Sequence, residues 1–466
     1  MFTKEDYIKR RNALKEKMNG GIAFILGNKD TPMSYPANIY RFRQDSNFAY
    51  FFGINLPGFA GVIDFDNDKD YIFGNDFEID DIIWMGPQPS VKELALNVGV
   101  ENTANCVELE GFIKKVMDEG RKIHFLPAYR SIRNMQIEKF MGISVFETNE
   151  HISQALVEAV ISLREIKDEK EIAHLDAIQD VAYEMHTKAM KMAQDGVYER
   201  EIAGRIEGIT LSHGGTISFP IILSKRGETL HNNVHDNLLK AGDLMLTDCG
   251  YESPLNYTTD HTRVTPVGGK FTQKQKEIYQ IVLDANNNAF AATKPGVKYF
   301  EMHMIAATTI VKGLKELGLM KGNVEDAVKA GAHALFYPHG LGHMMGMDVH
   351  DMEDLGQINV GYDKTIQPSE QFGTAYLRLA KELKPGFVIT NEPGIYFIPA
   401  LIDKWQNEGI NSEFINFDKV NEYRDFGGIR LEDDILITET SCRLLGKQRI
   451  PIEIDEVEAM VQKGKA

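Results

Sequence analysis

Between Tyr337 and Asp351 the chain reads Tyr-Pro-His-Gly-Leu-Gly-His-Met-Met-Gly-Met-Asp-Val-His-Asp, three histidines on a backbone broken by one proline and three glycines. His339 and His343 have helical spacing, but each glycine between them costs a helix about 1 kcal/mol. The segment is therefore expected to be a loop or strand that passes close to other backbone. Any one histidine is most often a core or solvated residue. Three on a glycine-rich backbone point instead to a site. Imidazole suits several divalent metals, and metal sites draw ligands from several segments, so carboxylates in comparable settings are the natural partners.

Four such carboxylates occur. Asp248 ends the apolar run Leu244-Met245-Leu246-Thr247 and precedes Cys249-Gly250. Asp260 follows twelve residues later in Thr259-Asp260-His261-Thr262-Arg263, with Ser253-Pro254-Leu255-Asn256 as the turn between two antiparallel strands. Both aspartates are expected to face one cavity. Glu392 follows another strand-like run in Thr390-Asn391-Glu392-Pro393-Gly394, and Glu432 lies in Gly428-Ile429-Arg430-Leu431-Glu432-Asp433-Asp434. Alone, each reads as an acid paired with an arginine. Together, four negative charges balance two divalent cations, and His343 adds a neutral nitrogen. That mostly hard ligand set favours Mn²⁺, with Zn²⁺ or Co²⁺ as alternatives.

A chain of 466 residues is long enough for two domains with sizeable cores. Its net charge of -17, from 68 acidic against 51 basic residues, opposes nucleic-acid binding. Cys106, Cys249 and Cys442 are isolated, which supports neither a disulfide framework nor a thiolate zinc site. The charged start lacks an apolar targeting core, and no later run reaches the ~18 apolar residues that span a bilayer. A cytoplasmic protein with no membrane partner is expected.

Residues 4–18 pattern as an amphipathic helix and Gly21–Leu26 as a strand, opening a mixed α/β region. The run Arg43–Gly53 interleaves aromatic and polar residues and reads, on chemistry alone, as a half-buried packing edge. From Leu156 to about Ala193 the pattern is one long helix, with Glu165, Lys167, Glu169, Lys170 and Glu171 on its exposed side, marking a domain boundary. Thr272 and Gln275 have capping-box spacing, and Lys294-Pro295-Gly296 stops the helix they begin. Helices over 299–317 and 324–336 follow, and the last ~20 residues read as a terminal helix with a frayed basic end.

Taken in order, Asp248-Cys249-Gly250, Asp260-His261-Thr262-Arg263, Pro338–His343, Asp348-Val349-His350-Asp351, Asn391–Gly394 and Gly428–Asp434 resemble the pita-bread dinuclear metallopeptidases, in the Xaa-Pro aminopeptidase (aminopeptidase P) and prolidase branch. The Arg43–Gly53 run also resembles the N-terminal domain of aminopeptidase P and displaces the plain packing reading. The resemblance implies an α+β (mixed α/β) fold, with an aminopeptidase P-like domain over 1–160 and a catalytic pita-bread domain over 161–466. It makes Asp248, Asp260, His343, Glu392 and Glu432 the ligands of two divalent metal ions. His231, His339, His350 and Arg430 become substrate or catalytic groups beside Glu392. The Asp248–Asp260 spacing is one residue longer than usual in the family, which a longer turn absorbs.

The implied reaction is hydrolysis of the bond between a first residue and a following proline, with a metal-bridged hydroxide as nucleophile and Glu392 moving the proton. The implied partner is a peptide with proline at the second position, and the implied assembly a homodimer or homotetramer. Prolidase, restricted to Xaa-Pro dipeptides, is the alternative. Leu377–Gly386 resembles the prolidase segment whose arginine clamps the free proline carboxylate, which makes Arg378 the discriminating residue. A surface position for Arg378, on the outer side of a short helix, favours the aminopeptidase. A metal-free binding module or creatinase-like relative would lose the ligand set that is complete here. Gly340–Gly346 loosely matches a phosphate loop, but its spacing is off by one and no acid follows at the required distance.

Overall fold

The structure is a computed structural model that describes residues 2–464. The chain separates into two compact units, Met1–Arg164 with Met352–Asn359, and Glu165–Asp351 with Val360–Ala466. In the first, β1 (Ile22–Leu26), β2 (Ala60–Asp64), β3 (Lys69–Phe73), β4 (Asn102–Ala104) and β5 (Ile123–His124) form a mixed sheet in the order β4-β3-β2-β1-β5. The apolar run anticipated at 21–26 is the buried β1, which pairs antiparallel with β2 and parallel with β5. Helices Glu108–Asp118 and Ser131–Met141 supply Leu109, Ile113, Val116 and Ile137 to a core shared with Phe24, Val62 and Phe73.

The run Arg43–Gly53 forms a helix, Ser46–Phe52, buried on nearly every side, in place of a half-buried edge. Seven residues are too few for a 3.6-residue repeat to show against a fully buried background. The Asp45 carboxylate accepts from Phe48 N at 2.9 Å to cap it, and Gly53 in the left-handed region (φ 60°) ends it. Its polar residues tie distant chain together. Arg133 Nη1 lies 2.5 Å from Asp45 Oδ2, and Asn47 accepts from Arg164 at 2.6 Å and donates to Asp354 at 3.3 Å.

The single long helix expected over 156–193 is two, Gln154–Arg164 and Glu169–Met192. Asp168 caps the second through Lys170 N and Glu171 N at 2.9 Å each. Of the five charges expected on the exposed side, Glu169 and Lys170 are exposed, whereas Glu165, Lys167 and Glu171 are buried, at 6%, 4% and 2% exposure.

The second unit is built from short antiparallel sheets flanked by helices. Its strands are β6 (Thr216–Ile217), β7 (Ile222–Ser224), β8 (Leu244–Cys249), β9 (Tyr251–Glu252), β10 (His261–Pro266), β11 (Val388–Asn391), β12 (Gly394–Tyr396), β13 (Gly428–Arg430), β14 (Asp433–Ile437) and β15 (Cys442–Leu444). They pair in the orders β10-β8-β7, β11-β14-β15, β12-β13 and β6-β9. Thr272 and Gln275 do form a capping box, starting the helix Gln273–Ala292. The helix Tyr299–Glu316 follows, but the stretch expected to be helical over 324–336 divides into Val324–Lys329 and a 3-10 turn at Ala332–Leu335, with left-handed Gly331 between them. The terminal helix is Ile454–Gln462, and the basic end expected beyond Gly464 lies outside the described residues.

Next to the histidine segment, His303 and His333 are fully buried with ring centroids 6.0 Å apart, and their ring nitrogens have no hydrogen-bond partner among the described residues. Burial lowers both pKa values, that of His333 to about 4. In the unfolded chain each protonates near its ordinary value of about 6.5. The neutral burial of His333 therefore stabilises fully above about pH 6.5, and the contribution is lost as pH falls towards 4, by about 1.4 kcal/mol per pH unit; that of His303 is lost in the same direction. Urea unfolding from pH 6.5 to 4.5 is expected to show a stability slope shallower by roughly one proton in His333→Leu. An unchanged slope would mean that His333 titrates normally in the folded protein.

Candidate metal centre

Short strands of the second unit deliver the acids. Asp248 is near the end of β8 opposite Thr262 of β10, Asp260 immediately precedes β10, Glu392 follows β11, and Glu432 sits between β13 and β14. In the connection between Asp248 and Asp260, Asn256 takes a left-handed conformation (φ 64°). His343 belongs to an irregular segment laid against β11, as its glycines led one to expect. Thr390 fixes it, accepting from His343 N at 3.1 Å through Oγ1 and donating N–H to His343 O at 3.0 Å. A Cβ on Gly342 would lie 2.1 Å from Thr390 O, so only glycine allows this approach.

A cavity of about 420 Å³ is lined by Asp248, Asp260, His343, Glu392 and Glu432 together with His231, His339, His350, Arg378 and Arg430. Every site residue expected from the sequence thus reaches one place. Phe219, Pro220, Ile222, Leu230, Val349 and Tyr376 give it an apolar wall. Arg378 is half-buried and follows a 3-10 turn at Thr374–Tyr376, so the surface position on a short helix is corrected: flanking Leu377 and Leu379 are buried, which holds Arg378 at the cavity.

The electrostatics call for a cation. His343 Nδ1 lies 3.0 Å from Met344 O, an acceptor, so Nδ1 carries the hydrogen and Nε2 presents a lone pair. That nitrogen faces Asp260 Oδ2 at 3.4 Å and Glu392 Oε1 at 3.8 Å. Ligand atoms of Asp260, His343 and Glu432 all lie within 4.8 Å of one another. Asp248 Oδ1 and Asp260 Oδ1 are buried with no hydrogen-bond partner among the described residues. Burial, then neighbouring Asp248, Asp434 and Glu392, pushes Asp260 well above the carboxylate range. Burial, then Asp260, Glu392 and Asp248, does the same to Glu432, and burial raises Glu392. The donor set fits hard divalent ions.

Several groups the sequence reading passed over hold the site in shape. Tyr396 OH bridges His339 Nε2 at 2.8 Å and Arg430 Nη1 at 2.9 Å, while Arg430 Nη2 donates to Asp248 Oδ2 at 2.5 Å. His339 Nδ1 lies 2.8 Å from Gly340 O, so both its nitrogens are engaged, and burial followed by Arg430 lowers its pKa to about 3. Thr262 Oγ1 donates to Glu432 Oε2 at 2.7 Å. Asn286 donates to Asn391 O and Leu431 O at 3.0 Å each, clamping the residues just before the two glutamates. Tyr396 follows the Glu-Pro-Gly turn by two residues and could have been found there; Asn286 carries no local signal. Asp433, beside Glu432, is by contrast a structural acid held low by Arg263 and Arg449 despite its burial.

The sequence profile of metallopeptidase family M24 matches residues 173–439, and that of the aminopeptidase P N-terminal domain matches residues 7–124. The chain belongs to metallopeptidase family M24. Within that family it is similar to human Xaa-Pro dipeptidase, 31% identical over 453 residues that cover 94% of this chain and 88% of the relative. It is likewise similar to a probable Xaa-Pro aminopeptidase of Fusarium vanettenii, 33% identical over 426 residues, with coverage of 90% and 87%. Among solved structures it resembles Escherichia coli aminopeptidase P with the inhibitor Pro-Leu, at a TM-score of 0.81 and 27% identity, covering 100% of this chain and 99% of that one. The M24 fold is thus the mixed α/β pita-bread architecture expected from the sequence motifs.

Because the clustered carboxylates repel one another without a cation, dialysed protein is expected to melt at a higher temperature after addition of Mn²⁺ or Zn²⁺. The rise should shrink in Glu432→Gln. A melting temperature indifferent to divalent cations in the unaltered protein would rule out a cation site here.

Proposed function

We propose that this M24 protein is an exopeptidase that hydrolyses the bond between a first residue and a following proline, and that it acts on peptides longer than two residues, as an Xaa-Pro aminopeptidase. The observations that carry the reading are the cavity, where His343 and the carboxylates of Asp260 and Glu392 converge beside an apolar wall, and, for the aminopeptidase branch, the match of residues 7–124 to the aminopeptidase P N-terminal domain. Asp248, Asp260, His343, Glu392 and Glu432 would hold two divalent ions, with Mn²⁺ first on the hardness of the set. When bound, such a pair supplies Lewis acidity for water activation and for charge developing on the scissile carbonyl.

The protein's own groups then divide the remaining tasks. Glu392, raised by burial, takes the proton from the attacking water and returns it to the leaving nitrogen. His339 has both nitrogens committed to Gly340 and Tyr396, so it serves as a wall for the substrate, and polar contact to the peptide falls to His231 and His350. Arg430, bonded to Asp248 and Tyr396, offsets negative charge at the cavity floor. Proline's tertiary amide offers no N–H to a general protease, and the apolar side chains of Phe219, Pro220 and Val349 in the cavity lining suit its ring. Chemistry resides in the domain over 161–466, with the domain over 1–160 as its aminopeptidase P-like companion. The charge balance and isolated cysteines support a cytoplasmic setting, and the resemblance supports a homodimer or homotetramer.

Chelation is expected to abolish Xaa-Pro hydrolysis and Mn²⁺ to restore it best. Glu392→Gln should remain folded yet lose most turnover, and His350→Ala should keep its metal while losing ~10²–10⁴-fold in rate. Near-normal turnover in the first variant would remove Glu392 from proton transfer, and metal loss in the second would make His350 a ligand.

Arg378 favours a second reading, the Xaa-Pro dipeptidase, because a guanidinium at the cavity can bind the free carboxylate of a dipeptide. Comparable rates on Xaa-Pro-Xaa and Xaa-Pro are expected for the aminopeptidase. Tripeptide turnover near background, with dipeptide cleavage lost in Arg378→Ala, would establish the dipeptidase instead.

A further inference from the structure

Lys167 is the residue whose surroundings depart furthest from its sequence pattern. It sits among Glu165, Glu169 and Glu171, yet its side chain is 1% exposed and its Nζ lies 2.9 Å from Asp351 Oδ2, itself on a side chain 2% exposed. The link spans 184 positions. Lys167 is fixed in the turn between two helices, where its N–H donates to Gly386 O at 2.9 Å. Asp351 is held more firmly still: Oδ1 accepts from Asp348 N at 3.3 Å, and its own N–H donates to Met344 O at 2.9 Å. The Met344–Asp351 segment is therefore a closed loop with the ion pair inside it.

The loop leaves no slack around that pair. Gly346 O accepts from Thr258 N at 2.9 Å and Thr258 Oγ1 at 3.0 Å, and a Cβ on Gly346 would stand 2.4 Å from Asp351 Oδ2 and 2.9 Å from Lys167 Cε. What the loop offers to the cavity is Val349 and His350, the His350 ring lying 4.1 Å from that of His343. Neither Lys167 nor Asp351 lines the cavity.

A buried ion pair adds little to stability over an apolar pair of similar volume, because desolvation offsets the attraction. What it does supply is direction. With Lys167 on one carboxylate oxygen and Asp348 N on the other, the Asp351 rotamer is set, and with it the backbone one residue from His350.

We propose that Lys167 and Asp351 are positioning residues that aim the His350 imidazole at the substrate. The inference rests on the exopeptidase reading for its kinetic consequence, while its structural consequence can be read without any substrate. A misplacement of about 1 Å at a group that touches the reacting bond costs up to ~10²-fold in rate.

The test uses full-length metal-loaded protein carrying Asp351→Asn, which preserves side-chain shape, and Lys167→Met, each alone and combined with His350→Ala. Metal content is expected to stay at the level of the unaltered protein. Each single change should lower kcat on an Xaa-Pro peptide by ~10-fold or more with KM little moved, and should cost no further rate once His350 is alanine. Losses that multiply in the double variants would overturn the proposal. Independently of substrate, the His350 ring resonances of histidine-labelled, Zn²⁺-loaded protein, assigned by their disappearance in His350→Ala, are expected to move in Asp351→Asn. Resonances that stay in place would overturn it even if the protein cleaves Xaa-Pro peptides. If Lys167→Met does not fold, Asp351→Asn carries both readouts. An absence of Xaa-Pro cleavage in the unaltered protein would count against the exopeptidase reading alone, and the resonances would still decide this one.

Discussion

Mutual repulsion among largely buried carboxylates around one cavity is the constraint on which the second unit's architecture turns. Asp260 and Glu432 are each less than a tenth exposed, and removing such groups from water disfavours their ionised forms strongly. The fold answers in two ways. Arg430 places a guanidinium against Asp248, and the strand ends are locked by neutral donors, Thr262 on Glu432 and Asn286 on the carbonyls preceding both glutamates. Charge that remains is left pointing inward at the lone pair of His343. Holding such an arrangement together demands rigid supports, and the short antiparallel sheets provide them, because each acid sits at a strand end fixed by ladder hydrogen bonds.

Local punctuation explains why the acids were legible in the sequence. An acid set in an apolar frame with glycine or proline within a few residues is readable without knowledge of the fold, and Asp248, Glu392 and Glu432 each lie in such a frame. His343 was legible because its flanking glycines exclude a helix and imply close backbone approach, which the contact of Gly342 with Thr390 bears out. The helix capped by Thr272 was legible for a similar reason, since its start signal (Thr272 with Gln275) and its stop signal (Lys294-Pro295-Gly296) are each written in a few neighbouring residues.

What could not be read depends on pairing across the chain. Lys167 and Glu165 look like a solvated helix face because their neighbours are charged, whereas the partners that bury them, Asp351 and Lys381, are far away in sequence. Asn286 is the first of three successive asparagines, nothing local separates it from Asn287 and Asn288, and its clamp on the carbonyls preceding the two glutamates exists only once three elements have met. The side that Arg378 faces was not legible because the short helix expected to carry it does not form. In the absence of regular structure there, side-chain direction follows from packing of Leu377 and Leu379 and not from periodicity.

The segment Met352–Asn359, which begins immediately after the loop closed by Asp351, belongs to the amino-terminal unit, where Asp354 accepts from Asn47 at 3.3 Å. The chain therefore leaves that unit after Arg164 and returns to it before finally departing. During synthesis the first 164 residues emerge well before this strap has been made, so the amino-terminal unit completes its hydrogen bonding only after residues 165–351 have been translated. Vectorial folding, in which one domain finishes before the next begins, is closed to a chain threaded in this way.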